Sequence, residues 1–205
     1  MYVNGEVTRE AEAKFGIPKE IHLEYEISDR EVATIRGSRK QDRSHDITFF
    51  ILDGSTEGRR QDFWSTRLVV IRKPGFPPGA YRAPSGGVKP GESIEAGAKR
   101  EAYEETGLDI ELDRYLLRIH AAFTHGLDVE KWVTHVFSAR IIRGELDPKD
   151  TDEIENAKFV TLEELQGPIR DILLGSGRGL FAYRVALTDA TVEILRQNGD
   201  EGIGD

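Results

Sequence analysis

Residues Ala83–Leu108 read APSGGVKPGESIEAGAKREAYEETGL, and no other stretch narrows the fold and chemistry of this chain as far. The approach to it, from Pro74 to Pro90, is rich in Pro and Gly and reads as loop and turn around a short extended piece near Tyr81. Ser93–Thr106 contains no Pro and a single Gly, so a helix is predicted there, with Ser93 as its N-cap and Gly107 as its stop. At about 100° per residue, Glu101, Glu104 and Glu105 fall within an arc of roughly 100°. Three carboxylates on one face repel one another, and an isolated helix gains nothing from them. A hard divalent cation such as Mg²⁺, which prefers oxygen ligands, turns that repulsion into binding. The remaining faces carry Ala96, Gly97, Ala98 and Ala102, residues small enough for neighbouring backbone to pack close. The plainer reading of the same residues is a solvated face with Arg100 and Glu104 as an i,i+4 ion pair.

Composition limits what can surround this helix. The 205 residues suggest one domain of about 150 residues with an appendage, or a single large domain. Apolar side chains make up 38% and charged ones 32%, a balance that excludes both a disordered chain and a membrane-embedded one. No apolar run approaches the roughly 20 residues that span a bilayer. The first ten residues carry no basic stretch ahead of an apolar core, so a secretory leader is not expected and a cytoplasmic location is. With no cysteine, disulfides, zinc–thiolate sites and thiol nucleophiles are excluded. The 28 basic and 37 acidic side chains give −9, which argues against general nucleic-acid binding. That charge is uneven: residues 30–89 hold 12 Lys/Arg and 6 Asp/Glu, so +6, while residues 90–205 hold 13 and 24, so −11. Either this is surface scatter, or a carboxylate-rich surface faces a basic one across a metal and an anionic ligand.

Along the chain, Thr8–Phe15 is expected as a short helix ended by Gly16 and Pro18. Ile21, Leu23, Tyr25 and Ile27 alternate with polar residues as in a half-buried strand, and Ser28–Arg30 reads as a turn into a second strand at Val32–Ile35. Gly37–His45 reads as a linker. A helix and a hairpin are too small for their own core, so residues 1–45 are expected as an extension that leans on the main domain or on a second subunit. Ile47–Leu52 and Leu68–Ile71 suit buried strands, with further strands near 108–112, 115–123, 132–142 and 157–161. Thr161–Glu164 spells a capping box, Pro168 opens a second short helix that Gly175 ends, and Thr188 is expected to cap a last helix over Asp189–Asn198. The expected architecture is α+β, with an extension at 1–45, a domain at 46–199 and a flexible tail at 200–205.

The spacing in the first-named stretch is Gly86, five residues, Glu92, seven residues, Arg100-Glu101-Ala102, one residue, Glu104-Glu105, one residue, Gly107-Leu108. Position for position it resembles the signature of the Nudix hydrolases; the soft position is Ala102, where a larger aliphatic is usual. The resemblance implies a Nudix-type α/β/α sandwich with a mixed sheet, similar from about Ile47 to Leu162, and leaves residues 1–45 outside. It implies Mg²⁺-dependent hydrolysis, with Mn²⁺ as a substitute, of a phosphoanhydride in a nucleoside diphosphate linked to another group. By motif position Glu101 and Glu105 would be the principal metal ligands, Glu104 a further one, and the Gly86 carbonyl would complete the set. Arg100 would fix a helix carboxylate, Glu92 would tie the loop to the helix, and Gly107 would close it. The proton-accepting group would be a helix glutamate or, within the loop Asp150–Glu155, Glu153; a merely solvated loop is the alternative.

Substrate class is less defined. The proline that commonly follows the box in ADP-ribose hydrolases, the tyrosine of diadenosine-polyphosphate hydrolases and the aromatic signature of NADH-cleaving members are all missing. The isomerase branch needs a cysteine that this chain lacks. What is left is a small-molecule nucleotide or diphosphate partner: a nucleoside triphosphate (damaged ones included), a nucleotide sugar or a capped RNA end, with ADP-ribose weakened but still open. Arg82 is the candidate phosphate contact. Phe63, Trp64, Phe76, Tyr81 and Trp132 are the candidates for stacking on a base, each also a plausible core residue. His120 and His135 read as structural strand residues, and His125 as a loop residue near the pocket. A nucleotide-sensing regulator without hydrolysis is the competing class, and a homodimer through residues 1–45 is a further expectation.

Overall fold

The structure, a computed structural model, describes residues 3–40, 43, 45–54 and 62–201. Helix α1 (Gly5–Phe15) begins at Asn4, whose side chain accepts from the amides of Glu6 and Val7, three residues ahead of the expected start. Strand β1 (Lys19–Glu26) follows. Where a second strand was expected, the chain forms helix α2 (Asp29–Lys40). The reason lies in Ser28-Asp29-Arg30-Glu31, which is a helix start: the Ser28 amide and hydroxyl both donate to the Glu31 carboxylate, at 3.0 and 2.7 Å. Val32 and Ile35, three apart, are both buried on one helical face. The expected hairpin is therefore a strand and a helix, and the expected linker from Gly37 begins as the last turn of α2.

The sheet continues with β2 (His45–Leu52), β3 (Arg67–Arg72), the short β4 (Ser85–Gly86), β5 (Asp109–His125), β6 (Asp128–Arg143) and β7 (Asn156–Thr161). A 3₁₀ turn at Phe63–Ser65 lies between β2 and β3. The two strands expected at 108–112 and 115–123 form one, β5, with register irregularities near Leu112 and Tyr115. Strand order is β1-β5-β6-β2-β3-β7, with β4 beside β2. β1 runs parallel to β5 and β2 parallel to β6; the other pairs are antiparallel, so the sheet is mixed.

Alternation along β2 shows how the sheet divides two cores. Ile47, Phe49 and Ile51 join α1 and α3 (Ile94–Thr106) on one face. Phe50 points to the other, with Val32 and Ile35 of α2 and the C-terminal helices. Those are α4 (Leu162–Glu164), which opens with the expected capping box at Thr161, then α5 (Arg170–Gly175) after a π turn over Leu165–Ile169, and α6 (Gly179–Glu201). The α/β/α sandwich follows.

Two boundaries differ from expectation. α6 starts ten residues before Asp189, and Thr188 does not cap it: its hydroxyl donates to the Arg184 carbonyl at 2.8 Å from within the helix. Thr-Asp imitates a cap, but Phe181, Val185, Leu187 and Val192 are buried in the core beneath, and that burial extends the helix upstream. Asp200 and Glu201 belong to its final turn, and residues 202–205 lie outside those described. Among the described residues no helix is long and apolar enough to cross a membrane. Among the described residues ahead of β2, β1 pairs with β5 and α2 buries Val32 and Ile35 on one face of the sheet.

Candidate active site

Helix α3 forms as its sequence predicts. Ser93 accepts from the Ala96 amide, and Gly107 ends the helix in the left-handed region at φ 79°. Beyond Gly107 the chain returns to the helix end, where the amides of Asp147, Lys149 and Asp150 donate to the carbonyls of Thr106 and Glu104, each at 2.9 Å. A Cβ on Gly107 would stand 2.5 Å from the Asp147 carbonyl oxygen, so glycine permits both the turn and the close approach. In this way the helix end carries the Asp150–Glu155 loop.

Arg100 ties the preceding loop to the helix. Its Nε and Nη2 donate to Glu92 at 2.8 and 3.0 Å, Nη2 also to the Gly87 carbonyl at 2.8 Å, and Nη1 to Glu101 and Glu104 at 2.9 and 3.0 Å. Hydrogen bonding to Glu92 leads the causes that raise the Arg100 pKa, and the same contact lowers that of Glu92. Glu101 accepts from the Gly87 amide at 3.1 Å. Its side chain lies so close to Gly86 that a Cβ there would be 2.0 Å from its carboxyl carbon.

Glu105 is the buried member, 3% exposed. It accepts from the Ser85 amide at 2.8 Å, and its other oxygen faces Lys73 Nζ at 3.5 Å and Arg82 at 3.9 Å. Burial pushes its carboxyl up to about 7, against the pull of Arg82, Lys73 and the Ser85 amide. Lys73 also pairs with Glu153 at 2.7 Å and so connects the Asp150–Glu155 loop to the helix cluster. Arg82 is buried and donates to the Ala83 carbonyl and the Ser85 hydroxyl, both at 2.8 Å. Burial and the charge of Arg184 bring its pKa down to about 10, with Glu105 and Asp46 acting the other way.

Glu101, Glu104, Glu105, Gly86, Arg82 and Glu153 all line one cavity of about 510 Å³. Its remaining wall comes from segments that motif reading does not reach. Asp46, at the start of β2, is 2% exposed and accepts from Arg43 at 2.6 Å and from Arg184 of α6 at 2.8 Å. Burial favours its neutral form, yet Arg184 and Arg43 overcome that and hold its carboxyl down at about 2. Farther along lies an aromatic end. Phe76 and Phe181 meet edge to face at 4.8 Å, and Phe123, Trp132 and Tyr183 complete it. Arg178 sits 4.3 Å from the Phe181 ring centre.

Of the aromatic candidates, Phe76 and Trp132 line the cavity. Phe63 and Trp64 pack on each other at 5.3 Å, and Tyr81 lies beneath Lys158 at 4.3 Å; none of these three is among the lining residues. His125 also stays outside it, bonded to the Ile27 carbonyl at 3.1 Å and to Asp29 at 2.8 Å. His135 stacks on His45 within the structure. Phe181, Tyr183, Arg184, Asp46 and Lys73 had no motif to mark them. The one signal for the α6 residues is the apolar sequence Leu180–Tyr183 and Val185–Leu187 on either side of Arg184.

The oxygen donors around α3 suit a hard divalent cation by chemistry. In this arrangement no three His, Cys, Asp or Glu among the described residues are gathered closely enough to hold one, and Arg100 and Lys73 engage the same carboxylates. Donor type and common cavity fit the ion, with Glu101 and Glu104 both held by Arg100 at 2.9 and 3.0 Å.

The NUDIX domain family model matches residues 57–174. A NAD-capped RNA hydrolase from Stutzerimonas stutzeri is 36% identical over 98 residues, 48% of this chain and 33% of that protein. An oxidized purine nucleoside triphosphate hydrolase from Mus musculus is 35% identical over 93 residues, 45% of this chain and 56% of that one. The matches thus span about a third to just over half the length of these curated relatives. The crystal structure of a MutT NUDIX hydrolase from Burkholderia pseudomallei aligns at 25% identity and TM-score 0.41, covering 58% of this chain and 84% of that one.

Proposed function

The chain belongs to the Nudix family, and from that premise we propose that it hydrolyses a phosphoanhydride bond in a nucleoside diphosphate linked to another group. The observation that carries this reading is the convergence of Glu101, Glu104, Glu105, Gly86, Arg82 and Glu153 on one cavity that continues into an aromatic end. Nudix hydrolases use divalent metal ions; here Mg²⁺, with Mn²⁺ as substitute, is the ion proposed, held by Glu101, Glu104, Glu105 and the Gly86 carbonyl. When bound, such an ion acidifies water and neutralises phosphate charge.

The residues divide the remaining work. Arg100 locks the loop to α3, so that Glu101 and Glu104 keep fixed places relative to Gly86. Glu105, shielded from water, keeps its oxygens at the inner end. Arg82, engaged by Ser85 and close to Glu105, steadies that carboxylate more than it reaches into solvent. Glu153 is the group that takes the proton from the attacking water at a carboxylate oxygen, with Lys73 keeping it at the rim. Phe76 and Phe181 supply ring faces for the base.

The relatives share a nucleoside diphosphate core across different leaving groups, so NAD-capped RNA and oxidized purine triphosphates head the substrate panel. A cytoplasmic homodimer is also proposed, with residues 1–45 as contact element beside a 46–199 domain. Its support is that β1 ends the sheet. Light scattering on the full chain checks it, and a monomer removes it. The deciding experiment is hydrolysis of that panel with Mg²⁺, wild type beside Glu105→Gln. Equal, slow release by both proteins would end the enzymatic reading in favour of a nucleotide sensor.

A further inference from the structure

Arg43, just ahead of β2, and Arg184 of α6 bring more positive charge to the cavity than their own pairing uses. Asp46 is a single buried carboxylate shared by two guanidiniums, Arg43 on one oxygen and Arg184 on the other. Arg184 also donates to the hydroxyls of Thr48 at 3.0 Å and Ser85 at 3.3 Å, which fixes its plane. A guanidinium has five N–H donors, so these contacts leave Arg184 with donors to spare. Arg43 Nε is buried and has no hydrogen-bond partner. Nearby, Glu105 faces two more cations, Lys73 and Arg82. Lys73 is already paired with Glu153 at 2.7 Å, so the surplus lies with Arg43 and Arg184, which share the one carboxylate of Asp46. A structural ion pair needs one arginine per carboxylate. The surplus is costly in a partly desolvated site, and a multiply charged anion offsets it. Planar, fork-shaped donors match phosphate oxygens, and the helix that presents Arg184 also presents Phe181 and Tyr183 to the same space.

We propose that Arg184 and Arg43 bind the phosphate groups of the substrate, with Asp46 as the positioning residue that aims both. The inference rests on the nucleotide reading of the same cavity and assigns its anion-holding role to residues 43 and 184, aimed by residue 46, all three outside the box. In this arrangement the residue ahead of β2 and one from α6 clamp the phosphates within the cavity that Glu101, Glu104 and Glu105 line.

The test is ADP binding by calorimetry to the full chain without metal, at low and high salt. Arg184→Gln weakens ADP by about tenfold, the change that about 1.4 kcal/mol produces, and flattens its salt dependence. Arg184→Lys, which keeps the charge, restores part of the affinity, and its melting curve shows that the fold stands. Asp46→Asn weakens ADP in the same direction. The proposal is overturned if Arg184→Gln leaves ADP affinity unchanged, if affinity falls while the salt dependence stays as in wild type, or if wild type binds no ADP. A protein that binds ADP through Arg184 yet hydrolyses nothing keeps the clamp and ends the hydrolase reading; hydrolysis with Arg184-independent binding does the reverse.

Discussion

Glu105 of α3 and Asp46 of β2 line one cavity, both almost fully buried and both near two cations, yet burial pushes one up to about 7 while the other is held down at about 2. The difference is contact. Asp46 receives a direct hydrogen bond from a guanidinium on each oxygen, at 2.6 and 2.8 Å. Glu105 receives one amide, and its cations stand off at 3.5 and 3.9 Å. Burial raises both; only direct pairing reverses it. Glu105 thus lacks direct pairing with a cation, while Arg43 and Arg184 share a single carboxylate. A cation for the first and an anion for the second is the arrangement that metal-dependent phosphate chemistry requires.

The comparison breaks most readily at the acidic wall. Glu105→Gln or Glu101→Gln is expected to lower turnover by about 100-fold or more, measured on whichever panel substrate is cleaved fastest, because the preorganised charge is lost. A drop of only a few-fold would remove those carboxylates from the chemistry. The aromatic end should behave differently: Phe76→Ala raises KM by about tenfold, the size of one stacking contact, with kcat little changed. A fall in kcat alone would place Phe76 in the reaction rather than in binding.

Two smaller effects sharpen the picture. Gly107→Ala should cost about 2 kcal/mol in thermal or denaturant unfolding, since φ 79° is strained for alanine and its Cβ meets the Asp147 carbonyl. An unchanged melting temperature would show that the Asp147–Glu153 loop does not depend on that turn. The pH dependence follows from signs. Glu105 has a folded pKa of about 7, above its ordinary 4.5, so its contribution to stability is full below 4.5 and is lost as pH rises through about 7. Glu105→Gln lacks that loss, so in metal-free protein the melting temperature of the variant should gain on wild type between those limits. Asp46 runs the other way: its contribution is present above 3.8 and is lost as pH falls towards 2, which Asp46→Asn should abolish. A constant difference across either window would overturn the corresponding assignment.

The acidic wall was legible because everything that builds it is local. Ser93, the glutamates and Gly107 lie within 15 residues, and helical periodicity alone puts Glu101, Glu104 and Glu105 on one face. The same locality made Thr161–Glu164 readable as a cap. Where local signals competed, reading failed. Ser28–Glu31 is a helix start that looked like a turn between alternating segments, and Thr188-Asp189 resembles a cap although the core beneath Phe181 and Val185 continues the helix past it.

What the sequence by itself determined is the composition without cysteine, the spaced box with its capped helix, and through them the family and the shared helical face of Glu101, Glu104 and Glu105. Only the tertiary structure decided which residues share a cavity with that face. Arg184 meets Asp46 across 138 positions of sequence, and Glu31 accepts from the Leu180 amide across 149. Contacts of that kind have no period and no spacing rule. They exist because β1 joins the sheet at β5, while α2 and α6 bury their apolar faces on its far side, and the charged residues between them are carried into the cavity by that burial.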